Sequence, residues 1–244
     1  MPYRRLPNTD RARLRAIKAA YQKGKQIPPF KLAFSQNAFQ RLQSFYTSFE
    51  QSINNYNNTF KVQTERNKEY IQLHKKAKLY VSHFIQVMNL AVAREELKPE
   101  VREFYGIDKD EKKVPSLNTE KELVHWGNKI IEGETTRTFK GQSPITNPTI
   151  AVVRVRFENF LEALNNQKVL QQNSQRALKK LSDMRTEADQ IILQVWNEVE
   201  TSFKEMDEKD RLENASSYGV VYVYRKNEKA RLMTESSSND LEVV

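Results

Sequence analysis

The strongest constraint on this chain is that it is written twice. A slide of 108 residues lays Ile85-Gln86-Val87-Met88-Asn89 on Leu193-Gln194-Val195-Trp196-Asn197, Phe49-Glu50 on Phe157-Glu158, and Asn57-Asn58 on Asn165-Asn166. The flanks repeat with small insertions. Asn8-Thr9-Asp10 matches Asn118-Thr119-Glu120 at an offset of 110, and Tyr105-Gly106-Ile107 matches Tyr218-Gly219-Val220 at 113. Each match alone is weak, but they keep one order at near-constant offset. The chain therefore reads as two repeat units, 1–113 and 114–230, packed as one domain and followed by a tail, 231–244.

Each unit opens on a helix start. Thr9 or Asn8, and in the second copy Thr119 or Asn118, can accept a bond from the unpaired N–H groups of the first turn. Asp10 and Glu120 in that turn suit the helix dipole. The first short helix is predicted to end near Lys23 and its counterpart near Glu132, each before a glycine, Gly24 or Gly133, in the left-handed cap position.

A long helix follows in each copy. Apolar side chains recur at steps of three and four: Phe39, Leu42, Tyr46, Phe49, Ile53, Tyr56 and Phe60, then Tyr70, Ala77, Val81, Phe84, Met88 and Ala91. The second series runs through Ile150, Val153, Phe157, Leu161 and Leu164, then Leu178, Ile192, Trp196, Val199 and Phe203. Such a seam is the mark of coiled-coil-like helix pairing. Pro148 falls where the second long helix begins and Pro99 just past the end of the first. Asn54 to Asn58 favour a turn, yet the seam passes through them in register, so a continuous or kinked helix is expected. The segment Tyr218 to Arg225 is rich in strand formers; a small hairpin with Thr135 to Lys140 would suit it. The predicted fold is all-α: an elongated antiparallel bundle of two long and two short helices.

Composition narrows the function. Cysteine is absent, which excludes disulfides, thiolate nucleophiles and cysteine metal sites. No apolar run approaches the ~20 residues of a membrane span, and the first residues lack the apolar stretch of a secretory signal. A cytoplasmic protein with no membrane contact is expected. Glu122 and His125 have the i,i+3 spacing of carboxylate-bridged metal bundles, but the counterpart of Glu122 is Ala12, so the second pair is missing and no metal is expected. None of the three histidines, His74, His83 and His125, is repeated in the other copy. No phosphate-loop, dinucleotide or catalytic-serine motif occurs; no cofactor and no catalytic residue is assigned.

Two polar features interrupt the seam. Gln63 and Asn67 have offset partners Gln171 and Gln175, a matched layer that antiparallel packing would bring together. Gln86 with Asn89, and Gln194 with Asn197, share a helix face at i,i+3 and read as structural bonds, across helices or to the neighbouring loops, rather than a paired ligand site.

The net charge of +9 is concentrated near the start. Arg4, Arg5, Arg11, Arg13, Arg15 and Lys18 crowd that segment, and Arg11, Arg15 and Lys18 fall at steps of four and three, on one helix face. Such a stripe can contact phosphates. The plainer reading is a solvated face, or neutralisation of acids elsewhere in the bundle, where pairing with the acidic short helix of the second copy would explain both charges. The last residues, with Glu235, Asp240 and Glu242 and no base, read as a disordered acidic tail.

The segments "YRRLPNTDRARLRAIKAA", "YVSHFIQVMNLAV" and "ADQIILQVWNEVE" resemble an all-helical family of Bacteroidota proteins with no assigned activity. The resemblance covers nearly the whole chain. It implies a bacterial, cytoplasmic protein and carries over no functional residue. The resulting expectation is a non-enzymatic helical scaffold or adaptor for another macromolecule, a protein rather than a nucleic acid. Nucleic-acid binding through the N-terminal arginines is the alternative, and an enzyme the second.

Overall fold

A computed structural model describes residues 2–225; the expected acidic tail, 231–244, lies outside the described residues. Strand β1 (Tyr3–Arg4) leads into helix α1 (Asp10–Gln26), a 3-10 turn (Pro29–Lys31) and helix α2 (Gln36–Ala93). A 3-10 segment (Pro99–Tyr105), α3 (Glu120–Phe139), α4 (Ile150–Ser202), α5 (Glu208–Ser217) and β2 (Tyr222–Val223) complete the order. The fold is an all-α helical bundle. No helix among the described residues is long and apolar enough to cross a membrane.

The Asn-rich stretch does not break α2, which runs unbroken for 58 residues. Asn54, Asn55, Asn57 and Asn58 are exposed, so each costs only the ~0.7 kcal/mol of poor helix propensity. The neighbouring turn buries Phe49 and Ile53, each contributing roughly 1.5–3 kcal/mol. Burial wins. The same balance carries α4 through Asn165-Asn166.

The chain divides into two compact units, Met1–Asn58 with Gln175–Val244, and Thr59–Ser174. These are not the two sequence copies. The first unit takes α1 and the start of α2 from copy one, and the end of α4 with the Tyr218-Gly219 turn from copy two. The second unit makes the reverse exchange. Its core sets Val81, Phe84 and Met88 of copy one against Leu123, Phe157 and Phe160 of copy two. In the first unit, Leu42, Phe49 and Ile17 meet Ile192, Trp196 and Val199.

The helix pairing is antiparallel within each unit. In the first, the Ser35 backbone N–H donates to Glu198 at 2.6 Å and Arg41 to Gln190 at 3.2 Å. In the second, Gln167 donates to Asn67 at 3.0 Å and the Tyr70 ring lies 6.2 Å from that of Phe160. The seam is tight where aromatic and branched residues supply it. Phe60 and Leu178, expected on it, are 51% and 38% exposed.

The two helix starts form as read. Thr9 accepts from the Ala12 N–H at 3.2 Å. Thr119 accepts from Glu122, whose carboxylate accepts in turn from the Thr119 N–H at 2.9 Å, a complete capping box. The ends do not. Helix α1 continues through Gly24 to Gln26, and α3 through Gly133 to Phe139. Both glycines serve close approach instead: a Cβ on Gly133 would stand 2.4 Å from the Phe104 carbonyl oxygen, and one on Gly24 would meet the Phe39 ring. Thr135 to Phe139 is therefore helical and forms no hairpin. Strand β2 pairs with β1, Tyr3 opposite Val223 and Arg4 opposite Tyr222.

The polar layer is also displaced. Gln63 is half-buried, and Gln171 and Gln175 are exposed. The amide that does bury is Gln167, 5% exposed, the one bonded to Asn67. A buried amide without a partner costs more than its bond would contribute, so Gln171 and Gln175 stay in water and Gln63 is only half withdrawn.

Two stability changes are expected. Replacing Asn67 and Gln167 together by Leu raises the urea midpoint, whereas Asn67→Ala alone lowers it by orphaning the Gln167 amide; equal effects would refute the layer. Gly133→Ala lowers stability by about 1–3 kcal/mol, because the atom it meets is backbone and cannot turn aside, and a neutral result would show that the helix shifts without cost.

Candidate anion-binding face

Helical phase sorts the N-terminal cations into two classes. Arg4 donates at 2.8 Å to both Asn197 and Glu200. Arg13 grips Asp189 with two bonds, 2.7 and 3.0 Å. Beside it Asp10, in the first turn of α1, receives both arms of Arg185 at 2.8 Å. These three ion pairs fasten β1 and α1 onto α4. The neutralising acids thus come from α4 and not, as expected, from the acidic short helix α3.

Arg11, Arg15 and Lys18 point the other way. All three are exposed, as is Arg5, and among the described residues none of the four is within ion-pair distance of a carboxylate. Helix α1 buries Ala16, Ile17 and Ala20, which fixes its rotation and turns positions 11, 15 and 18 outward. At ~1.5 Å per residue the three cations span about 10 Å. Lys23 and Lys25, further along, rest on the Tyr218 and Tyr21 rings at 5.8 and 5.0 Å.

The repeated amides do other work. Gln86 donates to Ser82 and Gln194 to Glu198, each within its own helix, at 3.2 and 3.0 Å. Asn89 accepts from Arg102 at 2.8 Å and donates to the Lys112 carbonyl at 3.1 Å. Asn197 accepts from Arg4. Of the two expected modes the asparagines take the second: both hold the segment that leads into a short helix, residues 112 and 4 lying near equivalent distances before Asn118 and Asn8.

One charged cluster escaped the sequence reading. Glu134 and Arg137 are fully buried and bonded at 2.9 and 3.0 Å. Tyr105 donates to Glu134 and accepts from Arg137 at 3.0 Å, and the Ile145 N–H donates to Glu134 at 2.8 Å. Burial first, and then the bond to Glu134, push the Tyr105 hydroxyl well above its ordinary range. The signal was present: the buried stripe of α3 runs 123, 127, 130, 134, 137, so its periodicity carries the two charges inward. At an offset of 110 the first copy has Gly24 and Ile27 instead. The cluster is sealed and its groups are bonded to one another, so it clamps the Tyr105 turn and the Ile145 segment to α3.

The histidines are scattered. His74 packs edge-on to Phe160 at 5.3 Å, His125 to Trp126 at 5.2 Å, and His83 is exposed. Glu122, the other half of the i,i+3 pair with His125, is engaged in the capping box. Among the described residues no three His, Asp or Glu side chains converge as a metal ion would require.

No protein-family model matches the chain, and no curated protein and no solved structure does either.

The clamp has a sharp expectation. Arg137→Met leaves Glu134 as an uncompensated buried charge and costs about 3–5 kcal/mol in urea unfolding, while an exposed control, Arg66→Met, stays within about 0.5. The pH dependence follows from the raised tyrosines. Tyr105 is neutral in the fold but ionises near its ordinary ~10 when unfolded, so its contribution is full below pH ~10 and lost as pH rises beyond it. Tyr105→Phe flattens that alkaline decline without abolishing it, because Tyr70 and Tyr222 are raised for the same two reasons, burial and a bond to a glutamate. An unchanged alkaline profile would discard the assignment.

Proposed function

We propose that the protein is a non-enzymatic helical scaffold of the bacterial cytoplasm that binds an acidic macromolecular partner through α1. The reading rests on one observation: within a single basic segment, Arg4 and Arg13 are consumed by internal ion pairs while Arg11, Arg15 and Lys18 are lined up toward solvent. Charges held outward on a helix whose rotation is fixed form a preorganised surface, which lowers the ordering cost of association. A protein partner fits better than a duplex. Three outward cations over about two turns match an acidic patch, and the face adjoins a partly apolar groove. Nucleic acid is the second reading, favoured by the same outward arginines.

The test compares capture from the native lysate by the wild-type chain, by Arg11→Gln/Arg15→Gln/Lys18→Gln, and by the control Lys75→Gln/Lys76→Gln, with thermal melts confirming that all three fold. The expected result is one protein partner, insensitive to nuclease, recovered at least tenfold less by the triple variant and unchanged by the control. A partner lost on nuclease treatment, with binding whose salt slope drops by roughly 0.9 per lost phosphate contact, would replace the protein reading by the nucleic-acid one. Equal capture by all three chains removes α1 as the binding face.

A further inference from the structure

The first unit contains a groove of about 470 Å³ beside the basic face, with Arg5 and Arg15 at its rim and Ala12, Ala16, Ala19 and Trp196 among its lining. We propose that this groove binds a small amphipathic anion, a carboxylate carried on an apolar body, supplied as a free acid.

The space is specific to this copy of the repeat. At an offset of 110 the positions of Ala12, Ala16 and Ala19 hold Glu122, Trp126 and Lys129 in α3. Small residues on one face of α1 let the Gly219 turn seat on Ala16 and Ala19, and the groove opens beside them along Ala12, where the other copy places Glu122. Trp196, which stands where the first copy has Met88, is almost wholly buried and backs the groove from beneath. The far wall is rigid: Gly219 sits at φ +91°, and a Cβ there would come within 2.9 Å of the Ala16 carbonyl oxygen and of the Ala19 methyl. The turn is pressed onto α1 and cannot collapse into the groove, so the site is preformed. Its volume falls in the range of small-molecule sites, mostly apolar with a few placed polar groups.

The charge selects the head group. Among the described residues neither Arg5 nor Arg15 has a carboxylate partner. The other N-terminal arginine that reaches α4 near Trp196, Arg4, is already satisfied by Asn197 and Glu200. The two rim guanidiniums are forks suited to a carboxylate, and Ala12 and Ala19, with the exposed Leu6 and Val221, accept an aliphatic or aromatic body.

The probe is octanoate, read by the indole N–H signals of the two tryptophans, assigned with Trp126→Phe. Saturable movement of the Trp196 signal is expected, with the Trp126 signal still. Arg5→Gln/Arg15→Gln weakens binding tenfold or more, and so does Ala12→Phe, which fills the groove and keeps both arginines. Arg11→Gln/Lys18→Gln leaves octanoate binding unchanged, which separates this site from the macromolecular face. No saturable shift by about 10 mM, ten times the ~1 mM dissociation constant of a weak site, overturns the proposal. So does methyl octanoate binding as tightly as the acid, or full affinity in the double arginine variant. Tighter binding of the capped peptide acetyl-Leu-Glu-Leu-amide overturns the free acid as the source.

Discussion

A helix of 58 residues satisfies its own backbone but buries nothing, and its apolar stripe must be covered by something else. In each unit the cover is a stretch of the other long helix together with one short helix. Phe49 and Trp196 in one unit, Phe84 and Phe157 in the other, are almost completely withdrawn from water. The remaining features serve this packing. The threonine caps start the short helices in register with the stripe, the glycines let backbone approach backbone, and the Tyr-Gly turns close each core at one end.

The same phase that buries the stripe distributes the charge. Once Ala16, Ile17 and Ala20 face inward, no freedom remains in where the arginines of α1 point. Arg13 comes down beside Asp189, and Arg11, Arg15 and Lys18 come up. The outward cationic face is thus a by-product of hydrophobic registration, and a substitution at Ile17 would disturb its alignment without touching a charge. In α3 the corresponding phase turns Glu134 and Arg137 into the core, where only mutual bonding makes them tolerable. Two helices at corresponding places in the sequence repeat end with opposite treatments of charge.

Much of this was legible in the residues. The long helices, both threonine caps and the equivalence of the two Tyr-Gly turns follow from periodicity and repetition. What was not legible depends on neighbours distant in sequence. Gly24 and Gly133 look like helix stops until Phe39 and Phe104 are seen against them. Gln63 and Gln171 look like a buried layer until the structure shows that only Gln167 has a partner at hand. The division of the arginines required knowing that Asp189 and Glu200 lie beneath α1 and β1, information held about 180 residues away. Glu134 and Arg137 lie on the inward stripe of α3, and periodicity alone does not distinguish a buried ion pair from two solvated charges.

The exchange of halves between the copies also sets an order of assembly. The unit Thr59–Ser174 is one uninterrupted stretch, so all its parts have emerged once synthesis passes the middle of α4. The other unit joins two distant stretches, and α1, made before α4, has no Trp196 or Val199 to cover it until the rest of α4 follows. For most of the time the chain is being made, the alanine face of α1 and its arginines stand together without their core. The segment proposed to bind a partner is therefore also the one that most needs a companion during synthesis.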